Sequence, residues 1–270
     1  MTPRGSPKEK PMPAHAVPGL VIGLLLALST PARAAEAIAT DRPDFVESSD
    51  VVDPGRFQIE TSIGGERSRI GAQTLHALAT PTLLRLGIVE NWELRLETDG
   101  FTRESLAGRT ERGFADTSVS AKWHWQDGDA DSGRPALAGL LNFDLASGSA
   151  VFRGRGTRPS LRVTAEWELP NGYGVGVMPG LYRDHNEAGH GFYGGVLAVS
   201  VSKRIGALHG FVELAGQQLA ADKNGGKLVS LDTGLSYLLS DSVQIDAAIF
   251  YGLTKRSPDL QWTTGISVRF

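Results

Sequence analysis

Residues 115–125 read ADTSVSAKWHW, and the alternation in this stretch decides the fold. Ala115, Thr117, Val119, Ala121, Trp123 and Trp125 share one face of an extended chain, while Asp116, Ser118, Ser120, Lys122 and His124 share the other. Successive side chains of a strand point to opposite sides, so a period of two marks a strand whose faces meet different surroundings. The pattern returns in Trp92, Leu94, Leu96 and Thr98 against Glu93, Arg95 and Glu97, and in Leu161, Val163, Ala165, Trp167 and Leu169 against Arg162, Thr164, Glu166 and Glu168. It closes the chain, with Trp262, Thr264, Ile266, Val268 and Phe270 opposite Gln261, Thr263, Gly265, Ser267 and Arg269.

Read along the whole chain, this period predicts about twelve strands, at 56–64, 73–86, 91–99, 114–125, 135–145, 160–169, 173–183, 191–203, 207–217, 228–239, 243–253 and 260–270. Short connections (87–90, 170–172, 204–206, 240–242) alternate with longer polar ones such as 100–113 and 146–159; residues 126–134 break the rule. A β-sandwich shares the period, but its strands are usually shorter and its loops do not alternate in length. A hydrocarbon layer demands strands of ~9–11 residues and closure, because an open edge would leave backbone groups unpaired in lipid. The expected fold is all-β: a transmembrane antiparallel up-and-down β-barrel. Pro81 removes an N–H inside the second strand and predicts a bulge there. Gly172, Gly174, Gly176 and Gly180 dilute the seventh strand, leaving its phase open by one residue.

Composition narrows the function. The 270 residues carry 33 Gly, no Cys and a formal charge of −3. Without cysteine there is no disulfide scaffold, thiolate metal site or cysteine nucleophile, and without a basic excess no nucleic-acid footprint. Arg4, Lys8 and Lys10 precede an apolar run at 17–28 and the small-x-small triplet Ala32, Arg33, Ala34. This is the layout of an export signal, residues 1–34, cleaved after Ala34. The domains expected are that signal, an N-terminal periplasmic segment at 35–55 and an outer-membrane barrel at 56–270.

With the apolar face toward lipid, the inward face carries Glu60, Glu93, Glu97, Asp116, Asp144, Glu166, Glu168, Glu213, Asp232 and Asp246, against the basic Arg95, Lys122, Arg162 and Arg269. Two readings stand: charges paired across neighbouring strands, or an acidic excess that disfavours anions in a pore. Trp92, Trp123, Trp125, Trp167, Tyr173, Tyr237, Tyr251 and Trp262 fall near strand ends, as interfacial girdles do. The loops carry Arg67, Arg69, Arg103, Arg109, Arg112, Arg153, Arg155, Arg158, Lys255 and Arg256, either solvated or facing the anionic groups of lipopolysaccharide.

A hydrolase nucleophile is poorly supported. His124 shares a face with Ser118 and Ser120, but two-residue spacing along one strand separates side chains by ~7 Å. No Gly-x-Ser-x-Gly elbow or His-Glu-x-x-His occurs, and the Gly-x-Gly runs are not followed by a helix. His185 and His190 with Asp184 and Glu187 offer N/O ligands in one loop, a weak metal signal. Neither an enzyme, a cofactor nor a metal is expected.

Thr40-Asp41-Arg42-Pro43-Asp44-Phe45, followed by Glu47-Ser48-Ser49, resembles the start of the bacterial outer-membrane family named for the meta pathway of phenol degradation, whose members are labelled transporters. Pro81-Thr82-Leu83-Leu84-Arg85 with Gly87, Glu93-Leu94-Arg95, Gly113-Phe114-Ala115-Asp116-Thr117 with Lys122-Trp123, and Ser267-Val268-Arg269-Phe270 are similar to the family's pattern. The resemblance implies an outer-membrane barrel and passage or binding of small, often aromatic, molecules. Phe270 resembles the terminal aromatic read by the outer-membrane assembly machinery, and equally serves as an interfacial anchor. For Asp41, Arg42, Pro43 and Asp44 two readings stay open: a polar linker, or a segment folded into the lumen as a plug with Arg42 meeting inward carboxylates. The function expected is passive outer-membrane transport of small hydrophobic or aromatic solutes; the alternatives are a non-conducting structural or ligand-binding barrel and a lipid hydrolase. The partners expected are outer-membrane lipid, lipopolysaccharide, the assembly machinery and that solute.

Overall fold

The computed structural model describes residues 37–186, 188–219 and 226–270. The export signal with its cleavage site, and Glu187 of the histidine loop, lie outside the described residues. Among the described residues fifteen strands follow one another: β1 (Phe57–Ile70), β2 (Gln73–Ala79), β3 (Thr82–Val89), β4 (Trp92–Thr98), β5 (Phe101–Leu106), β6 (Arg109–Phe114), β7 (Thr117–Gln126), β8 (Ala136–Leu145), β9 (Arg158–Leu169), β10 (Tyr173–His185), β11 (Gly191–Ile205), β12 (Leu208–Leu219), β13 (Leu228–Ser240), β14 (Val243–Gly252) and β15 (Leu260–Arg269).

Twelve of these strands, all but β2, β5 and β6, are the staves of a closed antiparallel barrel. Closure is made by β15 on β1, from Gln58 opposite Arg269 to Arg67 opposite Leu260. The expected fold is therefore the observed one. Closure leaves the barrel no open edge, as hydrocarbon requires.

The other three strands continue staves beyond the barrel on the side of the long loops, which is the extracellular side in this layout. β1 pairs β3 with its first half, Phe57 opposite Leu86 to Thr61 opposite Thr82. Its second half pairs β2, Gly64 opposite Ala79 to Ile70 opposite Gln73. The expected strand 73–86 is thus interrupted at Thr80 and Pro81, where the proline carbonyl still accepts the Ser62 N–H at 2.9 Å. Residues 100–113, expected as a loop, instead form most of the β5–β6 hairpin, turning at Ala107 and Gly108, both with positive φ. Between Phe101 and Phe114 at its base its strands are polar on both faces, because they rise above the apolar band of the barrel, so the period of two is lost from the sequence there.

Apolar residues such as Leu94, Leu96, Val119, Val199, Val212, Leu235 and Ile249 are exposed on the outer surface. They form the band that lipid covers. Near its periplasmic edge Trp92 stacks on Trp123 with centroids 5.4 Å apart, and Trp123 meets Trp125 at 5.5 Å. Phe57 stacks on Phe270 at 6.1 Å on the same rim. In β10 the inward positions are Gly174, Gly176, Met178 and Gly180, which settles the phase the glycines obscured.

Candidate functional site

Residues 37–56 precede the first stave and lack helix or strand, so their N–H groups need partners from elsewhere. The inward carboxylates of the wall supply them. Glu60 accepts from the Asp41 N–H at 3.0 Å, and Glu213 from Phe45 and Val46 at 2.8 and 2.7 Å. Glu166 accepts from Ser49 at 2.5 Å, and Glu93 from Val52 at 2.8 Å. Four acidic side chains from four staves thus satisfy the backbone of one irregular segment inside the barrel.

The wall also makes room for it. A Cβ at Gly176 would come within 2.9 Å of the Val46 side chain, and one at Gly87 would collide with the carbonyls of Val52 and Asp53. On the β10–β12 side, Val46 packs with Met178, Ala198 and Ala215, and Phe45 flanks them.

Opposite that apolar contact lies a buried ionic network. Arg85, fully buried, donates from Nε to Glu93 at 2.9 Å and from Nη1 to Glu60 at 3.0 Å. It also donates to the carbonyls of Ala39 and Asp50. Arg95 meets Glu47 at 2.6 Å and Asp41 at 3.1 Å, and Lys122 meets both Asp41 oxygens at 2.9 Å. Arg162 reaches Glu47 at 2.8 Å. Four carboxylates face four cations, with two of the carboxylates, Asp41 and Glu47, contributed by the segment. Farther round, Arg42 bonds Asp246 at 3.0 Å and Thr263 at 2.8 Å. Pro43 is buried, and Asp44 is half-buried with no ion pair among the described residues.

On the extracellular side a cavity of about 570 Å³ opens, lined by Glu97, Asp116, Asp144, Arg158 and Arg162 among others. Arg158 Nη2 donates to Asp116 at 2.9 Å, and the Gly148 and Gly154 N–H groups bond the same carboxylate at 2.8 Å each. Burial works against the Asp116 charge, but these three donors hold its carboxyl below the usual range. Ser118 and Asn142 both donate to Asp144.

The inward residues read from the sequence thus divide into three groups. Glu60, Glu93, Arg95, Lys122 and Arg162 join the network; Glu166, Glu213 and Asp246 hold the segment; Glu97, Asp116 and Asp144 line the cavity; outside these groups Asp232 is buried on β13 and accepts from the Ser230 hydroxyl at 3.0 Å. Glu168 is exposed near the periplasmic rim, where Arg269 donates to the Asp241 carbonyl at 3.2 Å. Arg85, at the centre of the network, is absent from the inward set that the alternation predicts, although it points inward. Its signal is the phase of β3, with Leu83 and Arg85 inward and Leu84 and Leu86 outward, which three leucines and the neighbouring proline conceal. His124 places its ring nitrogens 2.9 Å from the Ser49 carbonyl and the Asp127 carboxylate, and Ser118 bonds Asp144, so no Ser–His pair is brought together on this strand.

A closed barrel of twelve antiparallel staves, apolar outside and ionic within, is a bacterial outer-membrane β-barrel. More particularly, the chain belongs to the family described as "Putative MetA-pathway of phenol degradation", whose pattern matches residues 40–270. Among solved structures, it is similar to an outer membrane channel from Pseudomonas putida F1, with 10% identity and TM-score 0.65 over 85% of this chain and 99% of that one. The NanC porin is similar at 13% identity and TM-score 0.53 over 78% and 98% of the two chains. The β domain of the Bordetella autotransporter BrkA is similar at 14% and 0.53 over 79% and 99%. These likenesses are of fold. No curated protein matches the sequence.

Proposed function

We propose that the barrel is a passive channel for small hydrophobic or aromatic solutes, held closed by residues 37–55 acting as a plug. The observation that carries this reading is the segment's position inside the wall, where its N–H groups and two of its carboxylates engage inward side chains on several staves. A twelve-stranded barrel lies between the ~8 strands that pack solid and the ~16 that hold an open aqueous channel, so one short segment suffices to fill it. The family description points to aromatic metabolism, and Phe45, Val46 and Met178 give one side of the lumen an apolar surface compatible with such solutes.

The test is planar-bilayer conductance of the refolded chain from residue 35, beside a variant lacking residues 37–53, with and without aromatic acids. A channel predicts low conductance that rises on deletion and responds to the solutes. The dense bonding of the segment favours a second reading, a non-conducting ligand-binding barrel. A folded deletion variant that stays silent while the intact chain binds solute would establish that second reading and sink the first.

A further inference from the structure

The sheet formed above the barrel by the second half of β1 with β2, β5 and β6 segregates its charges by face. Glu66, Ala77, Glu104 and Glu111 lie opposite one another across the four strands. The rows on either side alternate to the other face. One runs from Gly65 through Leu78 to Arg103 and Arg112; the next runs from Arg67 through His76 to Ser105 and Thr110. The Ser105 and Thr110 hydroxyls touch at 3.0 Å, as side chains on one face must. This second face continues the outward, lipid-facing side of β1, where Ile59, Thr61 and Ile63 point away from the lumen.

Arg67, Arg103 and Arg112 are exposed, and no ion pair engages Arg103 or Arg112 among the described residues; Arg67 lies within electrostatic reach of Asp259, which Arg69, one row higher, holds at 2.9 Å. Arg103 stands directly opposite Arg112. Like charges opposed across a sheet destabilise it, and the glutamates that would relieve this pair point the other way. The arrangement therefore calls for an anion from outside the chain.

Its height identifies which anion. Phe101 and Phe114 face each other with centroids 5.9 Å apart, one pair step toward the barrel from Arg103 and Arg112, a distance of ~7 Å along the strands. In the arginine row itself, Trp262 of β15 lies opposite Gly65. Aromatic side chains of this kind sit at the edge of the hydrocarbon, so the guanidiniums stand at the level of lipid headgroups in the outer leaflet. Guanidinium groups bind phosphate oxygens in pairs, and the anionic lipid of that leaflet is lipopolysaccharide, with phosphates on its lipid A disaccharide.

We propose that this outward face, centred on Arg103 and Arg112 with Arg67 and His76 beside them, docks one lipopolysaccharide molecule through its lipid A phosphates. Its acyl chains then lie along Leu78, Phe101 and Phe114. The proposal stands apart from whether the lumen conducts.

The refolded chain from residue 35 in detergent would be titrated with bisphosphorylated lipid A and followed by native mass spectrometry. Arg103→Glu/Arg112→Glu is expected to weaken binding about tenfold or more, with Arg103→Gln/Arg112→Gln intermediate, while Arg204→Glu on the periplasmic rim leaves it unchanged. Each variant is first shown to fold by its shifted band in an unheated gel. Lipid A stripped of phosphate should bind as weakly as to the glutamate variant. Equal binding by the intact chain and the folded Gln or Glu pair would overturn the proposal. So would retention of the dephosphorylated lipid at full strength, or equally tight binding of the soluble phosphorylated core oligosaccharide, which would mark the face as a polyanion site and not a lipid one.

Discussion

Arg85 joins three elements at once: its guanidinium pairs Glu93 of β4 and Glu60 of β1 and caps two carbonyls of the N-terminal segment. Removing one partner of a buried ion pair leaves the other charge uncompensated, at a cost of about 3–5 kcal/mol. Arg85→Ala is therefore expected to lower stability by that amount in urea unfolding from lipid vesicles, whereas Arg69→Ala, which breaks an exposed pair, should leave the transition where it is. A folded Arg85→Ala barrel of unchanged stability would mean the network is slack. Asp116 supplies the pH dependence at this scale. Its carboxyl is depressed in the folded chain, so its contribution is fully present above the ordinary value of 3.8 and lost as pH falls through the lowered one. The protection of the Gly148 and Gly154 amides, measured against their intrinsic exchange rates, should fall in acid, and in Asp116→Asn it should already be low at neutral pH.

At the scale of the element, the N-terminal segment is the part least legible in the sequence. Its residues alternate in no period, and what holds it are partners far along the chain, such as Lys122 for Asp41 and Glu213 for Val46. The signs available beforehand were indirect: glycines on the inward face of β10, and more inward carboxylates than cations. Both belong to the same arrangement, since Gly176 makes room for Val46 and the surplus carboxylates accept N–H groups. Gly176→Leu is expected to push the segment away from β10 and raise protease cleavage within residues 41–50 at least severalfold, because overpacking a filled interior costs about 1–3 kcal/mol. Unchanged protection in a folded variant would show that the segment is not seated on that wall. The β5–β6 hairpin leaves no trace in the sequence for a different reason. Outside the membrane neither of its faces has to be apolar, so alternation no longer reports a strand.

For the whole molecule, closure depends on β4 pairing β7 directly, from Trp92 opposite Trp123 to Thr98 opposite Thr117, so the extracellular extension is dispensable to the barrel. Replacing residues 100–115 by a short turn should preserve folding and heat-modifiable migration while abolishing lipid A binding. Loss of the folded band would show that the extension helps close the barrel. The sequence alone determined the twelve staves, their approximate spans, the side facing lipid and the inward position of most charged residues. Alternation is imposed on every strand by its own two surroundings, and a local constraint leaves a local trace. Only the tertiary structure decided where residues 37–55 run, that Arg85 sits at the centre of the ion network, and that Arg103 and Arg112 stand opposed with no ion pair among the described residues. Those facts depend on register and on contacts between distant staves, which no periodicity within a single segment records.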